Sequence, residues 1–179
     1  YAGLIRWTVV FRVAYAALLT VGQYLVWASG GLTRAFLNAP LDPSMPVPLV
    51  QNFPWLFDNR FGYFIFYSWA RFWLSAVVAL VAAWLFWRFL RSLERRNDRF
   101  FDEGEVLLGG LCALVVGWPG VVVFVGLAFL FVILASVYRR IFLEESYTTL
   151  GVPILAAAAV TFFWGNAIVE ITGLGVLRI

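Results

Sequence analysis

Long apolar runs, separated by short polar or charged segments, form the main pattern of this sequence. A bilayer has a hydrocarbon core of about 30 Å, which about 20 residues of α-helix can cross. The apolar runs lie at 7–29, 69–90, 106–117, 120–138 and 150–171. We therefore predict an all-α fold, a polytopic transmembrane helix bundle of about five spans that forms a single membrane domain over residues 1–179.

The apolar run from 106 to 138 is predicted to contain two helices and not one. One helix of this length would measure roughly 50 Å at about 1.5 Å per residue, which exceeds the hydrocarbon thickness. Gly117-Trp118-Pro119-Gly120 interrupts the run and predicts a turn. Arginine clusters precede and follow the run, so both of its ends are predicted on the cytoplasmic side. The run is therefore predicted to form a hairpin of two short spans.

Arginine positions predict the orientation of the chain. All thirteen basic residues are arginine, and the strongest cluster lies in the polar loop 91–105. Because positively charged loops favour the cytoplasm, the N-terminus is predicted inside, the C-terminus outside, and Arg71 in between. The predicted anchors to the cytoplasmic face or to lipid headgroups are Arg91, Arg95, Arg96, Arg99, Arg139 and Arg140.

A polar loop at 32–60 is predicted on the outer side of the membrane. Its five prolines between positions 40 and 54 predict ordered extended chain that lies on the membrane or on a partner. Aromatic residues crowd 53–73, and this predicts an interfacial segment before the second span, because Trp and Tyr rings favour the headgroup level. The predicted interfacial aromatics are Trp55, Tyr63, Tyr67, Trp69 and Trp73.

Small residues recur at every fourth position on three of the predicted helices. Such faces let helix backbones approach closely in lipid, where packing drives association, and they predict a compact bundle. The alternative is that alanine and glycine are simply common in membrane helices. The predicted packing residues are Ser75, Ala79 and Ala83, then Gly109, Ala113 and Gly117, then Ala157, Thr161 and Gly165.

Composition excludes several kinds of chemistry. The chain is 63% hydrophobic and 13% charged, whereas soluble domains carry roughly a quarter charged residues. It has no histidine and no lysine, so no imidazole can bind a metal or haem and no lysine can form a Schiff base. No metal site and no cofactor are predicted, and the sequence leaves open a bound lipid or a contact with a pigment or quinone. The predicted partners are other membrane proteins and lipid, with no nucleic acid.

Acidic residues at the membrane edge are the only plausible catalytic groups. Three short motifs follow one another in the second half of the chain: Asp102-Glu103-Gly104-Glu105, Gly117-Trp118-Pro119-Gly120 and Leu150-Gly151-Val152-Pro153. In this order, residues 72–165 resemble the membrane domain of bacterial type IV prepilin peptidases, which are intramembrane aspartic proteases. The resemblance implies catalytic roles for Glu105 and Asp102, with Asp42 as the nearest match to the second acid. It also implies the bacterial cytoplasmic (inner) membrane.

The catalytic motif of that family, Gly-x-Gly-Asp-x-Lys-Leu, is not preserved here. Its aspartate is replaced by Glu105, its first glycine by Asp102 and its lysine by Leu107. Asp42 is predicted on the opposite side of the membrane from Glu105, whereas an aspartic dyad needs two carboxylates that share a proton. We therefore predict a non-catalytic membrane subunit or scaffold of a larger complex, which packs through its small-residue faces and its aromatic loop. A prepilin-peptidase-like protease and a small transporter component are the alternatives.

Overall fold

The computed structural model of the chain describes residues 2–42, 44–95, 102–142 and 150–177. The described part is helical and contains no strand, which confirms the all-α fold class. The helices in chain order are α1 (Ala2–Ser29), α2 (Gly31–Leu37), α3 (Pro48–Asn52), α4 (Pro54–Phe57), α5 (Gly62–Ser68), a π-helical turn (Trp69–Trp73), α6 (Leu74–Glu94), α7 (Glu103–Val116), α8 (Gly120–Phe142), α9 (Gly151–Ile171) and a 3-10 turn (Leu174–Leu177).

Four helical segments are long and apolar enough to cross a membrane, as a multi-pass membrane protein requires. They are Gly3–Ser29, Gly62–Glu94, Gly120–Phe142 and Gly151–Ile171. The remaining predicted span coincides with α7, which has 14 residues. At about 1.5 Å per residue α7 measures roughly 21 Å, which is shorter than the hydrocarbon core. The count of five spans and the cytoplasmic N-terminus stay predictions.

The second long helical segment begins earlier than the predicted position 69. Helix α5, the π-helical turn and α6 follow one another without a break, from Gly62 to Glu94. The prediction started the span at 69 because aromatic rings favour the membrane interface. Aromatic residues have ordinary helix propensity, however, and no proline or interior glycine interrupts 63–68.

The loop at 32–60 contains three short helices, so the prediction of extended chain was wrong for these segments. Helix α2 covers its start, and α3 and α4 begin at Pro48 and Pro54. A proline at the first helical position costs no hydrogen bond, because the N–H there has no partner within the helix. Pro48 and Pro54 therefore start helices and do not prevent them.

The described residues divide into two compact units. The first unit contains residues 2–11 and the described residues between 76 and 177, and the second contains residues 12–75. In the first unit Ala113, Phe124 and Ala157 are completely buried, and they bring α7, α8 and α9 together. In the second unit Leu41, Val50 and Phe57 form a smaller core.

A close backbone approach holds the loop of the second unit together. The Leu41 N–H donates a hydrogen bond to the Phe57 carbonyl oxygen at 3.3 Å, and the Tyr63 N–H donates to the Ala39 carbonyl oxygen at 3.1 Å. Gly62 lies directly against this contact, where a Cβ atom would collide with the carbonyl group of Phe57. Only glycine fits at this point, because the obstacle is backbone and cannot rotate away.

Two hydrogen bonds show which ends of α7, α8 and α9 lie together. The Gly151 N–H, at the start of α9, donates to Glu105 Oε1 in the first turn of α7 at 3.0 Å. Trp118 Nε1, between α7 and α8, donates to the Leu177 carbonyl oxygen after α9 at 2.8 Å. Helices α7 and α9 therefore run in the same direction and α8 runs in the opposite one. The chain turns back at 117–119, where the sequence predicts a hairpin.

Candidate functional site

The predicted small-residue faces lie mostly inside the first unit. Ala79 and Ala83 on α6 are buried. Gly109 and Ala113 on α7, Gly117 directly after that helix, and the three residues on α9 are buried as well. Ser75 is only partly buried and belongs to the second unit. The Thr161 hydroxyl donates to the Ala157 carbonyl oxygen at 2.7 Å, so this buried polar group is satisfied within α9. The faces on α7 and α9 are thus covered by helices of the same chain.

Two neighbouring glycines let α6 and α7 approach closely. A Cβ atom on Gly109 would lie 2.5 Å from Leu90 Cδ1 and 3.5 Å from Phe86 Cε1. A Cβ atom on Gly110 would lie 3.2 Å from Trp87 Cδ1. The last turns of α6 therefore pack against the first half of α7, through the kind of small-residue contact that supports helix association in lipid.

The acidic residues of the peptidase resemblance lie at the start of α7. Asp102 is exposed at the N-terminal boundary of the helix, and Glu105 is partly buried in its first turn. The carboxylate of Glu105 accepts the Gly151 N–H at the start of α9. The first N–H groups of a helix have no partner within it, and they favour a negative charge. Glu105 therefore stabilises the N-terminus of α9.

Asp42, the other candidate acid, is an exposed residue of the second unit. The Ser44 N–H donates to Asp42 Oδ1 at 2.9 Å. This hydrogen bond, followed by one from the Ser44 hydroxyl, lowers the pKa of the Asp42 carboxyl below its ordinary value. A lowered pKa favours the ionised form of this carboxylate.

Each predicted arginine anchor that the structure describes lies at or directly after the C-terminus of a helix. Arg91 is in the last turn of α6, Arg95 follows that helix, and Arg139 and Arg140 are in the last turn of α8. Cations at these positions interact favourably with the helix dipole. The arginine-bearing ends of α6 and α8 lie at the end of the first unit opposite the 117–119 turn. Arg96 and Arg99 lie outside the described residues.

The predicted interfacial aromatics take different positions in the second unit. Tyr63 and Tyr67 pack around Trp27 of α1, with ring centroids 6.1 and 4.9 Å away. Trp73 Nε1 donates to Thr20 Oγ1 at 3.1 Å. The side chain of Trp69 is 36% exposed, and that of Trp55 on α4 is 73% exposed. The sequence did not single out Trp27, because one tryptophan within a long apolar run carries no pattern of its own.

Ser68 is a second residue that sequence reasoning missed. It lies just before the π-helical turn and is 4% exposed, and its Oγ has no hydrogen-bond partner within the described part of the chain. An unsatisfied buried hydroxyl costs about 1–3 kcal/mol. Insertions of π-helix often occur at functional positions. No sequence signal indicates either feature, since a single serine before an aromatic run is common in membrane helices.

The described residues contain no group of three His, Cys, Asp or Glu side chains that could hold a metal ion. Comparison of the chain with protein-family models, with curated proteins and with solved structures finds no match. The resemblance to prepilin peptidases therefore stays a prediction.

Proposed function

We propose that this chain is a non-catalytic subunit of a larger membrane protein complex and that α1 binds a partner helix. The supporting observation is the exposure of α1. In the apolar 18-residue stretch of α1 only 6% is buried. In the corresponding stretches of the other three candidate spans, 22%, 22% and 33% is buried. A helix that makes so few contacts within its own chain has most of its surface available for other molecules.

Large apolar side chains follow one another along one side of α1. Leu4, Phe11, Leu18 and Leu25 are spaced seven residues apart, and all four are more than half exposed. A seven-residue spacing keeps side chains on the face that meets a partner in packed helix pairs. The small-residue faces of α7 and α9 are already covered within the chain. In this proposal α1 therefore takes over the packing against partners that was predicted for those faces.

The aromatic loop supplies a second contact surface in this proposal. Trp55 and Phe53 are exposed and lie outside the candidate membrane spans. Exposed tryptophans are enriched both at the centres of protein interfaces and at the membrane surface. In this proposal the partner that binds α1 within the membrane also contacts this loop.

Site-specific photo-cross-linking in intact membranes tests the proposal. A photoreactive amino acid replaces Leu18, which is 68% exposed, and in a matched control it replaces Val169, which is 1% exposed. We expect a discrete adduct with another membrane protein from position 18 and none from position 169. The proposal fails if position 18 gives only lipid adducts and the chain purifies in mild detergent as a monomer without a partner.

A further inference from the structure

A groove in the first unit has features that the proposed subunit role does not use. It has a volume of about 610 Å³, within the range of roughly 300–1,000 Å³ that is typical of ligand pockets. The start of α1, the second half of α6 and the first part of α7 form its walls. The walls are almost entirely apolar and include Leu80, Leu107 and Leu114.

Among the described residues that line this groove, one is charged, and it is Arg6. It is exposed near the start of α1, where the neighbouring Ile5 and Val9 pack against the core of the unit. A guanidinium group presents a planar set of N–H donors that matches the oxygens of a phosphate. An apolar groove with one such cation is complementary to an amphipathic anion.

Two tryptophans connect the groove to two further arginines. Trp84 and Trp87 line the groove from α6, and each is followed four residues later by an arginine. The guanidinium carbon of Arg88 lies 5.5 Å from the Trp84 ring centroid, and that of Arg91 lies 5.2 Å from the Trp87 ring centroid. These are cation–π distances, so each cation is held beside a ring of the groove wall. Tryptophan rings next to arginines are also typical of the headgroup level of a membrane.

We propose that this groove binds an anionic glycerophospholipid. One acyl chain lies along the apolar wall, and the phosphate accepts hydrogen bonds from Arg6, with Arg88 and Arg91 adding to the positive potential. On α1 the groove residues Ile5 and Val9 lie about a third of a turn away from Leu4 and Phe11. A lipid in the groove therefore leaves the proposed partner face of α1 accessible.

Native mass spectrometry of the full chain with added lipid tests this proposal. Phosphatidylglycerol is compared with phosphatidylcholine, which carries a phosphate but no net charge. We expect the chain to retain phosphatidylglycerol preferentially and Arg6→Gln to weaken retention roughly tenfold or more, as for the loss of a hydrogen bond between charged groups. Arg6→Lys keeps the charge and should lose less. Arg34→Gln removes a similar charge from an exposed position on α2, which does not line the groove, and should retain the lipid as the unsubstituted chain does.

Three outcomes would overturn the proposal. Equal retention of the two lipids would mean that the groove does not select an anion. Equal losses in Arg6→Gln and Arg34→Gln would mean a general attraction to positive charge and no specific site at the groove. Displacement of the lipid by inorganic phosphate alone would mean a simple anion site in which the acyl chain has no part. Each variant is first checked for unchanged helix content and monodisperse elution, and Arg6→Lys serves as the test if Arg6→Gln does not fold.

Discussion

Individual residues decide how the chain turns between α7 and α8. Gly117 has φ 70° and ψ −176°, a backbone region that is essentially accessible only to glycine. The sequence predicts a turn here from its glycines and proline. It does not predict which glycine takes the positive φ, since that depends on how the two helices pack.

Replacing Gly117 should destabilise the chain through its backbone. We expect Gly117→Ala to lower the free energy of unfolding by about 1–3 kcal/mol, the cost of holding a residue with a Cβ atom in this region. Gly126→Ala is the matched control, because Gly126 lies within α8 and a Cβ atom there would meet nothing within 4 Å. Unfolding by SDS titration in mixed micelles measures both variants. Equal stability of the two would contradict this account of Gly117.

Burial of single side chains was predictable where a repeat indicated it. The four-residue spacing of small residues identified positions such as Ala113 and Ala157, which are completely buried. The environments of Trp27 and Ser68 were not predictable, because they depend on contacts between segments far apart in the sequence. A local pattern carries no information about such contacts.

Secondary-structure elements were predictable to the extent that apolar length determines them. Helices occur at all five predicted runs, because the free energy of placing polar backbone in hydrocarbon strongly favours helix there. The loop at 32–60 was predicted less well, since the effect of a proline depends on its position in a helical turn. Pro48 and Pro54 occupy first positions, which proline count alone cannot reveal.

Glu105 should contribute to stability through the contact between α7 and α9. We expect Glu105→Ala to lower the free energy of unfolding by about 0.5–2 kcal/mol, as for the loss of other helix N-terminal caps, because the Gly151 N–H loses its acceptor. Glu105→Gln keeps an acceptor oxygen and should lose less. Glu103→Ala, in the same turn but exposed, is the control and should have little effect. Equal effects of the substitutions at 103 and 105 would contradict the capping role.

The same variants separate the subunit proposal from the peptidase alternative. If Glu105 acts only as a cap, cleavage of pilin leader peptides does not depend on it in variants that remain folded. Loss of cleavage in both Glu105→Ala and Glu105→Gln, with helix content unchanged, would instead favour a prepilin-peptidase-like protease.

At the scale of the whole molecule, the central feature is which helix ends share a side of the membrane. Within the first unit, two hydrogen bonds place the start of α7 with the start of α9, and the 117–119 turn with the residues after α9. The sequence predicted this hairpin from the arginines at both ends of the run. The number of crossings does not follow from the arginines, because α7 has 14 residues and is shorter than the hydrocarbon is thick.

Labelling of single cysteines with a membrane-impermeant maleimide tests the central claim, that the arginine-bearing helix ends share the cytoplasmic side. The background is Cys112→Ala, because Cys112 is the only cysteine and is buried. Cysteines are then placed singly at the exposed positions of Asp102, Arg140 and Thr172. We predict that Thr172→Cys is labelled in intact cells and that Asp102→Cys and Arg140→Cys are labelled only after the membrane is opened. Labelling of positions 102 and 172 from the same side, or of 102 and 140 from opposite sides, would contradict the account.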